Sequence, residues 1–413
     1  MNTDIVVIGA GALGLSTALH CAIAGRSVVV VDRYTAGSQA SGRAAGLFKS
    51  VQADRLRTGL ARRSIARART FGDWAGVPLD VAGSGSYLIA RTDAHQAYLR
   101  AEERQSRGWG VDLRPATADE VSASVSYYQA TGAEFALWCP EDIYIDEPAD
   151  LVRAYVAAGR LHGAEVLERE PVTAITLSHG RVGGVETARR TITAPVVVDA
   201  AGAWTRQVAA LAGGTVPVAP VRHQLAITEP GPGRAAGPGW QAGHVDPADP
   251  IVRVVDAAVY LRPARGGLMV GGFEADPMPF DAAAPLPLAD DMPLDLGVLR
   301  KLADLVRDEV PASALPVAEH RGGMFTMSPD GRFVLGPVPD VPGLWVASGC
   351  NGSGFSSSLA LGEALAQWIA GRPGAVAALG PGRFGPLTDQ ALIREGVWQY
   401  EHYYDPQGSV GIG

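Results

Sequence analysis

Residues 5–32 read IVVIGAGALGLSTALHCAIAGRSVVVVD, and the fold turns on where this run is divided. Taken whole, residues 5–25 carry no formal charge with histidine neutral and are long enough to cross a bilayer. Three glycines crowd the start of that stretch, and Met-Asn-Thr-Asp ahead of it offers no basic leader for a signal peptide. Divided at its glycines, the run is a strand, a tight turn, a helix and a second strand. Gly9, Gly11 and Gly14 form G-x-G-x-x-G. The first allows the turn, the second lets backbone approach a pyrophosphate, and the third packs helix on sheet. Leu15, Leu19, Ala22 and Ile23 give the helix its apolar positions, and Gly25 is placed to end it. The helix N-terminus offers N–H groups and a positive dipole end to phosphates. Asp32 closes the second strand, where an acid bonds ribose hydroxyls. A dinucleotide site and no membrane span are the expectation; the turn alone leaves NAD and FAD both open.

The chain has 413 residues, enough for two lobes. Its 47% hydrophobic and 19% charged residues suit a soluble globular enzyme with a large core. A net charge of −8 with no Lys/Arg block argues against nucleic acid as a partner. Cys21, Cys139 and Cys350 stand far apart, which rules out a disulfide framework and a cysteine-rich zinc site. No metal is expected, and the cysteine usage suits a reducing cytoplasm.

Two later stretches bear on the cofactor. PVVVDAAGAW (195–204) runs a strand into small residues and Trp204. GLWVASGCNGSGFSSSLALGEALAQWI (343–369) runs a strand through a Gly/Ser loop into a helix. Nucleotide-type elements therefore recur near residues 5, 195 and 345 instead of filling one contiguous stretch. That dispersal favours FAD, the longer ligand.

The motifs GAGALG with Asp32, SGRAAGL (41–47), EDIYIDEPADLVRAY (141–155) and DAAGAW (199–204) follow one another in order. After them come PVRHQLAITEP (220–230), YLRPARGGLMVGGFE (260–274) and MSPDGRFVLGPVPDVPGLWVASGCNGSGF (327–355). This series resembles the D-amino-acid oxidase superfamily of FAD enzymes, in particular its sarcosine and dimethylglycine dehydrogenase branch. The resemblance covers about residues 4–372. It implies an α/β chain: a Rossmann-like, glutathione-reductase-type FAD-binding domain beside an antiparallel-sheet substrate domain. Longer members carry folate-linked domains beyond this unit, and a chain of 413 residues gives no expectation of a folate-coupled reaction.

The resemblance implies FAD contacts from Gly9, Gly11, Ala12, Leu13 and Gly14, and from Asp32 and Arg33. The small-residue strap Ser41, Gly42, Arg43, Ala44, Ala45, Gly46 and Leu47 would run past the pyrophosphate toward the flavin ring. Further contacts fall to Val172, Ala201, Gly202, Trp204 and Gly323. Gly352, Ser353, Gly354, Phe355 and Ser356 would bring a helix start, with its donors and positive dipole end, to the flavin. Members of the branch tether FAD through a histidine just before the AAG, where this chain has Arg43. A guanidinium forms no such bond but hydrogen-bonds phosphate or flavin oxygens. Cysteine-linked relatives use the place held here by Gly323. FAD bound without a covalent link is the expectation.

The FAD domain is expected at 1–75, 145–215 and 325–375, and the substrate domain at 76–144 and 216–324. In the second insert IVRVV, AVYLRP and GLMVGG read as strands, with a turn at Arg265-Gly266-Gly267. Residues 276–295, rich in Pro and Ala, read as a loop to which a lid role is open. Residues 376–413 are expected to pack on the FAD domain. Their aromatic cluster VWQYEHYYD (397–405) also reads as a wall that receives a cationic amine.

In the resembled family flavin performs the redox step while the protein binds and orients. Amino-acid oxidases hold the substrate carboxylate with an arginine where this chain has Phe325, and monomeric sarcosine oxidases with a lysine where it has Ser356. Lys49, Arg262 and Arg321 are the cations that could replace them, each equally readable as a surface or flavin contact. Met269 stands where sarcosine oxidases carry an oxygen-activating lysine, which tilts the reading toward a dehydrogenase. His223 reads as a proton-handling group or as a structural histidine. Tyr260 reads as cavity lining or as core packing.

The expected reaction oxidises the C–N bond of a secondary or tertiary amine, an N-substituted glycine or N-alkyl amino acid. Hydride passes to flavin N5, and the imine hydrolyses to amine and carbonyl products. The partners are a small-molecule amine and oxygen or another electron acceptor. Oxidation of a primary amino acid such as glycine or proline, and a non-catalytic FAD-binding subunit, are the alternatives.

Overall fold

The computed structural model describes residues 1–231 and 243–405. The opening run divides at its glycines into strand Ile5–Ile8, helix Ala12–Ile23 and strand Val28–Val31. Both strands are unbroken Val/Ile runs buried along their whole length, the pattern of parallel strands covered on two faces. The helix ends in a Schellman motif: Arg26 N–H donates to Cys21 O and Gly25 N–H to Ala22 O, with Gly25 at φ +80°. Ile23, counted among the apolar positions, is exposed instead, because it lies in the last turn beyond the packed neighbours.

Six strands form the first sheet, in the order Val334–Pro337, Leu344–Ser348, Val196–Asp199, Ile5–Ile8, Val28–Val31 and Glu165–Leu167. All neighbours are parallel except Val334–Pro337, which closes one edge antiparallel. Helices Ala12–Ile23, Pro148–Leu161 and Gly354–Ile369 share the core on one face. A three-stranded antiparallel sheet, Val172–Ser178, Arg181–Thr187 and Thr191–Thr193, covers the other. Small residues let these layers approach closely. A Cβ on Gly14 would lie 2.0 Å from Gly9 O, and one on Gly362 would lie 2.3 Å from Ser16 Oγ. Helix Arg55–Arg69 is pinned to Gly354–Ile369 by Arg63 and Arg67, which both donate to the Glu363 carboxylate.

Eight strands form the second sheet. Their order is Val317–Met327, Ala219–Thr228, Gly267–Gly272, Val259–Ala264, Ile251–Val254, Ser86–Ala90, Phe135–Cys139 and Arg114–Ala116. Every pairing is antiparallel except one: Ile251–Val254 runs parallel to Ser86–Ala90 and joins the two inserts into a single sheet. The hairpin turn is Arg265-Gly266, both at positive φ, and Gly267 already belongs to the next strand. The boundary drawn at 324 falls inside strand Val317–Met327, because Ala219–Thr228 stays in register with it through Met327. Among the described residues no helix is long and apolar enough to cross a membrane.

The C-terminal stretch divides between the layers, which corrects the expectation that all of it packs on the first. Val376 and Leu379 join the helical core of the first sheet. Helix Asp389–Glu401 lies on the second sheet, where Gly396 faces Ala219 and Met327 and Tyr400 fills the core. The physical reason is its aromatic side chains, which find Phe273 and Phe325 there. Residues 406–413 lie outside the described residues. The loop 276–295 docks along the edge of Ala219–Thr228, with Arg222 N–H donating to Met278 O and Phe280 N–H to Pro220 O.

Candidate active site

A cavity of about 440 Å³ runs between the two sheets. At one end the Gly-rich turn carries backbone past the start of helix Ala12–Ile23. Gly9 has φ +109°, and a Cβ there would meet Ala200 O at 2.4 Å. Asp32 sits beside it, its Oδ2 accepting Ala10 N–H and its Oδ1 accepting Tyr34 N–H, each at 2.7 Å. Burial raises its pKa, while these two donors hold it down. Each oxygen keeps a lone pair for a ribose hydroxyl. Arg33, Val172, Ala201, Gly202 and Trp204 line the same end, and Trp204 is tilted against Tyr34.

The strap crosses the middle. Ser41 Oγ accepts Ala12 N–H at 3.0 Å, tying the strap to the helix start. Gly46 has φ +74°, and a Cβ would lie 2.1 Å from Ile145 O, so this turn admits no other residue. Arg43 borders the cavity, but its guanidinium turns to Asp290 and to Ser38 O. Ala289 N–H donates to Gln39 Oε1, so residues 289–290 rest on the strap. Strand Val317–Met327 passes beneath, and a Cβ on Gly323 would lie 3.0 Å from Ala40 Cα.

On the opposite side Gly354–Ile369 begins at the cavity. Gly352 (φ +78°), Ser353, Gly354, Phe355 and Ser356 all line it, and the first-turn N–H groups have no intrahelical acceptors. Asn351 takes φ +43°, held there by bonds from its amide to Gly349 O and from Ser328 N–H to its oxygen. The arrangement fits a long dinucleotide. One helix start lies at each side, an acid at one end, and glycines stand where any Cβ would close the cradle.

The far end is aromatic. His223 is buried, with Nδ1 2.7 Å from the Tyr400 hydroxyl and Nε2 2.8 Å from the Tyr260 hydroxyl. Burial lowers its pKa to about 3, so the ring is neutral: one nitrogen donates and the other accepts. It stacks on Phe325 with centroids 4.2 Å apart, and Phe273 stacks on Tyr403 at 4.0 Å. Lys49 Nζ pairs with Glu102 Oε1 at 3.2 Å. Burial opposes its charge, but Glu102 outweighs burial and the pKa is raised.

The geometry brings most of the expected residues to one cavity and removes four. Gly14 and Gly42 pack backbone on backbone, Gly42 against Gly37 O, and do not line it. Met269 does not line it either; it is buried among Leu225, Ile227 and Ala264, in the cluster that Ala45 of the strap packs against. Arg262 is also withdrawn, its donors taken by Ala45 O, Asp146 and Pro263 O. Arg321 lines the cavity beside Glu319 and Glu147. Arg253 and Phe273, which carried no site expectation, also line the cavity, as do Tyr403 and Tyr404 from the 397–405 cluster. A signal existed for Arg253: it interrupts the apolar run IVRVV and stands directly across from Tyr260 in the hairpin.

Tyr260 lies over Gly271, whose added Cβ would fall 2.3 Å from the phenol oxygen. Gly271→Ala is therefore expected to push Tyr260 off His223. We expect a loss of about 1–3 kcal/mol in urea unfolding, from overpacking and a buried nitrogen left without a partner. An unchanged urea midpoint would contradict this packing.

A family model described as FAD dependent oxidoreductase matches residues 4–368. Human mitochondrial sarcosine dehydrogenase is 28% identical over 388 residues, covering 90% of this chain and 40% of its own. The 4-methylaminobutanoate oxidase (formaldehyde-forming) of Paenarthrobacter nicotinovorans is 27% identical, covering 89% of this chain and 44% of its own. The chain thus spans less than half the length of these curated relatives. Among solved structures, L-proline dehydrogenase from P. horikoshii superposes with a TM-score of 0.80 at 22% identity, covering 93% of this chain and 98% of that one.

Proposed function

Since the chain belongs to the family of FAD dependent oxidoreductases, we propose that it oxidises the C–N bond of a secondary or tertiary amine, an N-substituted glycine or N-alkyl amino acid. The observation that carries this reading is one continuous cavity, running from the Gly-rich turn and Asp32 to an aromatic end that holds Tyr260 and His223. Two relatives are named for sarcosine and 4-methylaminobutanoate, both N-methyl amino acids. Localisation in the cytoplasm accords with three free cysteines.

Gly9, Gly11, Ala12 and Leu13 would hold the pyrophosphate, Asp32 a ribose, and the helix start at Gly354 the flavin. Bound there, FAD supplies the two-electron acceptor for the C–H bond next to nitrogen. The chain's own part is to place that carbon and keep water out. Phe273, Phe325, Tyr403 and Tyr404 wall the far end and receive the amine. The Tyr260 hydroxyl faces the cavity, and His223 Nε2 fixes its direction. Neutral His223 keeps a proton-accepting nitrogen in this chain of bonds across the working pH range. The substrate loses a hydride from carbon and, when secondary, the proton from nitrogen. The imine or iminium then takes up water and gives amine and carbonyl products.

The test is an anaerobic visible titration of the FAD-loaded protein with sarcosine, dimethylglycine, larger N-alkyl amino acids, glycine and proline. Bleaching of the flavin band by an N-substituted member is the expected result. Bleaching by glycine or proline alone would establish the glycine/proline alternative, and no bleaching by any member would refute amine oxidation for this panel. Acid precipitation of the same protein should leave FAD in solution, since neither Arg43 nor Gly323 offers an atom for a covalent link. Yellow colour retained in the pellet would refute that.

A further inference from the structure

Two cations close the far end of the cavity, and each is backed by an acid on the side away from it. Lys49 Nζ lies 3.2 Å from Glu102 Oε1, and Arg253 Nη1 lies 2.9 Å from Asp142 Oδ2. Lys49 and Arg253 line the cavity; Glu102 and Asp142 do not. Asp142 is occupied from behind, accepting Ser50 N–H, the Ser86 hydroxyl and the Cys139 thiol. Arg253 is only 2% exposed, and among the described residues only its Nη1 has an acceptor. A buried guanidinium with donors left open, its Nε and Nη2 forming one edge of the fork, is built for an anion of planar geometry. No carboxylate lines this end: among the described residues the one acid bordering the cavity is Asp32, at the nucleotide end.

From this separation of charge we infer that Lys49 and Arg253 together hold a carboxylate of the substrate, so that the amine oxidised here must carry one. This inference rests on the reading of the cavity as an amine-oxidising site and assigns the side chains that hold the carboxylate of its substrate. Arg253 presents its fork, and Lys49 supplies a second positive charge. Tyr403 and Tyr404 exclude water around the pair, which strengthens both contacts. The two positions that hold carboxylates in the resembled oxidases are Phe325 and Ser356 here, so the anion is received from another strand. That strand is Ile251–Val254, where register sets Arg253 opposite Tyr260. The carboxylate and the reacting carbon are thereby gripped by neighbouring side chains on one sheet face.

The test is calorimetric titration of the FAD-loaded protein with butyrate and with butyramide, which share a shape and differ in charge. Butyrate is expected to bind, and butyramide to bind at least about tenfold more weakly. Lys49→Met with Glu102→Gln, and Arg253→Met with Asp142→Asn, remove each cation without stranding its buried acid. Each double variant should weaken butyrate by about 10- to 100-fold and leave butyramide unchanged. Arg253→Lys provides a variant that keeps the charge and loses the fork, with an expected loss of about tenfold. Equal binding of the two probes, no binding of butyrate, or full butyrate affinity in variants that retain FAD would overturn the inference. The amine titration is read separately. Flavin bleached by an amine while butyrate ignores Lys49 and Arg253 sinks the carboxylate site alone; butyrate held by them while no amine bleaches flavin sinks the reaction alone.

Discussion

A Gly9→Ala variant is expected to emerge colourless and largely insoluble. Gly9 has φ +109°, a region closed to side chains, and its added Cβ would sit 2.4 Å from Ala200 O and 2.7 Å from Ala200 C. Ala200 directly follows strand Val196–Asp199, and its N–H donates to Ile8 O at 2.8 Å. Moving either partner breaks the parallel pairing at the centre of the first sheet. Backbone strain of about 1–3 kcal/mol and overpacking of about 1–3 kcal/mol fall on one residue, against a total margin of about 5–15 kcal/mol. Gly25→Ala is the control. It is also at positive φ, +80°, yet nothing lies within 4 Å of its Cβ. Its loss should be about 1 kcal/mol, with FAD retained. Flavin absorbance per protein and the urea midpoint read both variants. Gly9→Ala with full colour and an unshifted midpoint would refute the packing argument.

Acid should destabilise the protein below pH 6.5, and His20→Phe should flatten that fall by about 3 kcal/mol at pH 4. His20 is buried, its ring stacked on Trp74 at 4.9 Å and 7°. Burial lowers its pKa from 6.5 to about 4, with nearby Glu363 opposing the shift. The unfolded chain therefore takes up a proton below about 6.5, and the native chain only below about 4. Stability from neutral His20 is complete above 6.5 and is lost as pH falls through that window. His223 adds a loss of the same sign down to about 3. Asp199, raised by burial, works the other way and softens the slope. Both groups are shared by wild type and variant, so the difference between their acid limbs isolates His20. Phenylalanine keeps the stack on Trp74 and removes the proton site. Parallel acid limbs for the two proteins would contradict the assignment.

Local chemistry made much of this molecule readable from its chain. The opening run declares itself because each glycine in it has a backbone reason and because buried parallel strands need no polar alternation. The strap was readable as a close approach because its small residues have no other use. What failed was distance along a strand. Arg262 reads as one of three cations that could replace the missing carboxylate clamps, and it shares a strand face with Tyr260. Arg262 lies about 7 Å further on and ends behind the strap at Ala45 O. Arg253, Phe273, Tyr403 and Tyr404 come from parts of the chain that meet only through sheet register and the seating of helix Asp389–Glu401. No local pattern encodes that meeting. The aromatic cluster at 397–405 has two readings, and its tyrosines meet Phe273 and Phe325 on the second sheet.

The parallel pair formed by Ser86–Ala90 and Ile251–Val254 has a consequence for how the protein is made. Neither sheet is contiguous: Ile5–Ile8 must wait for Val196–Asp199, which in turn must wait for Leu344–Ser348. Pairings so distant in sequence close loops at high entropic cost and form late. Until they form, valine-rich edges stand open to other chains. The cradle's first rail, at residue 9, has no opposite rail until residue 354 is in place. Capture of FAD is thus one of the last folding events, and only the finished form is rewarded by it. Free FAD present while the chain is folding is therefore expected to raise the yield of native protein, which soluble protein recovered with and without added flavin would check.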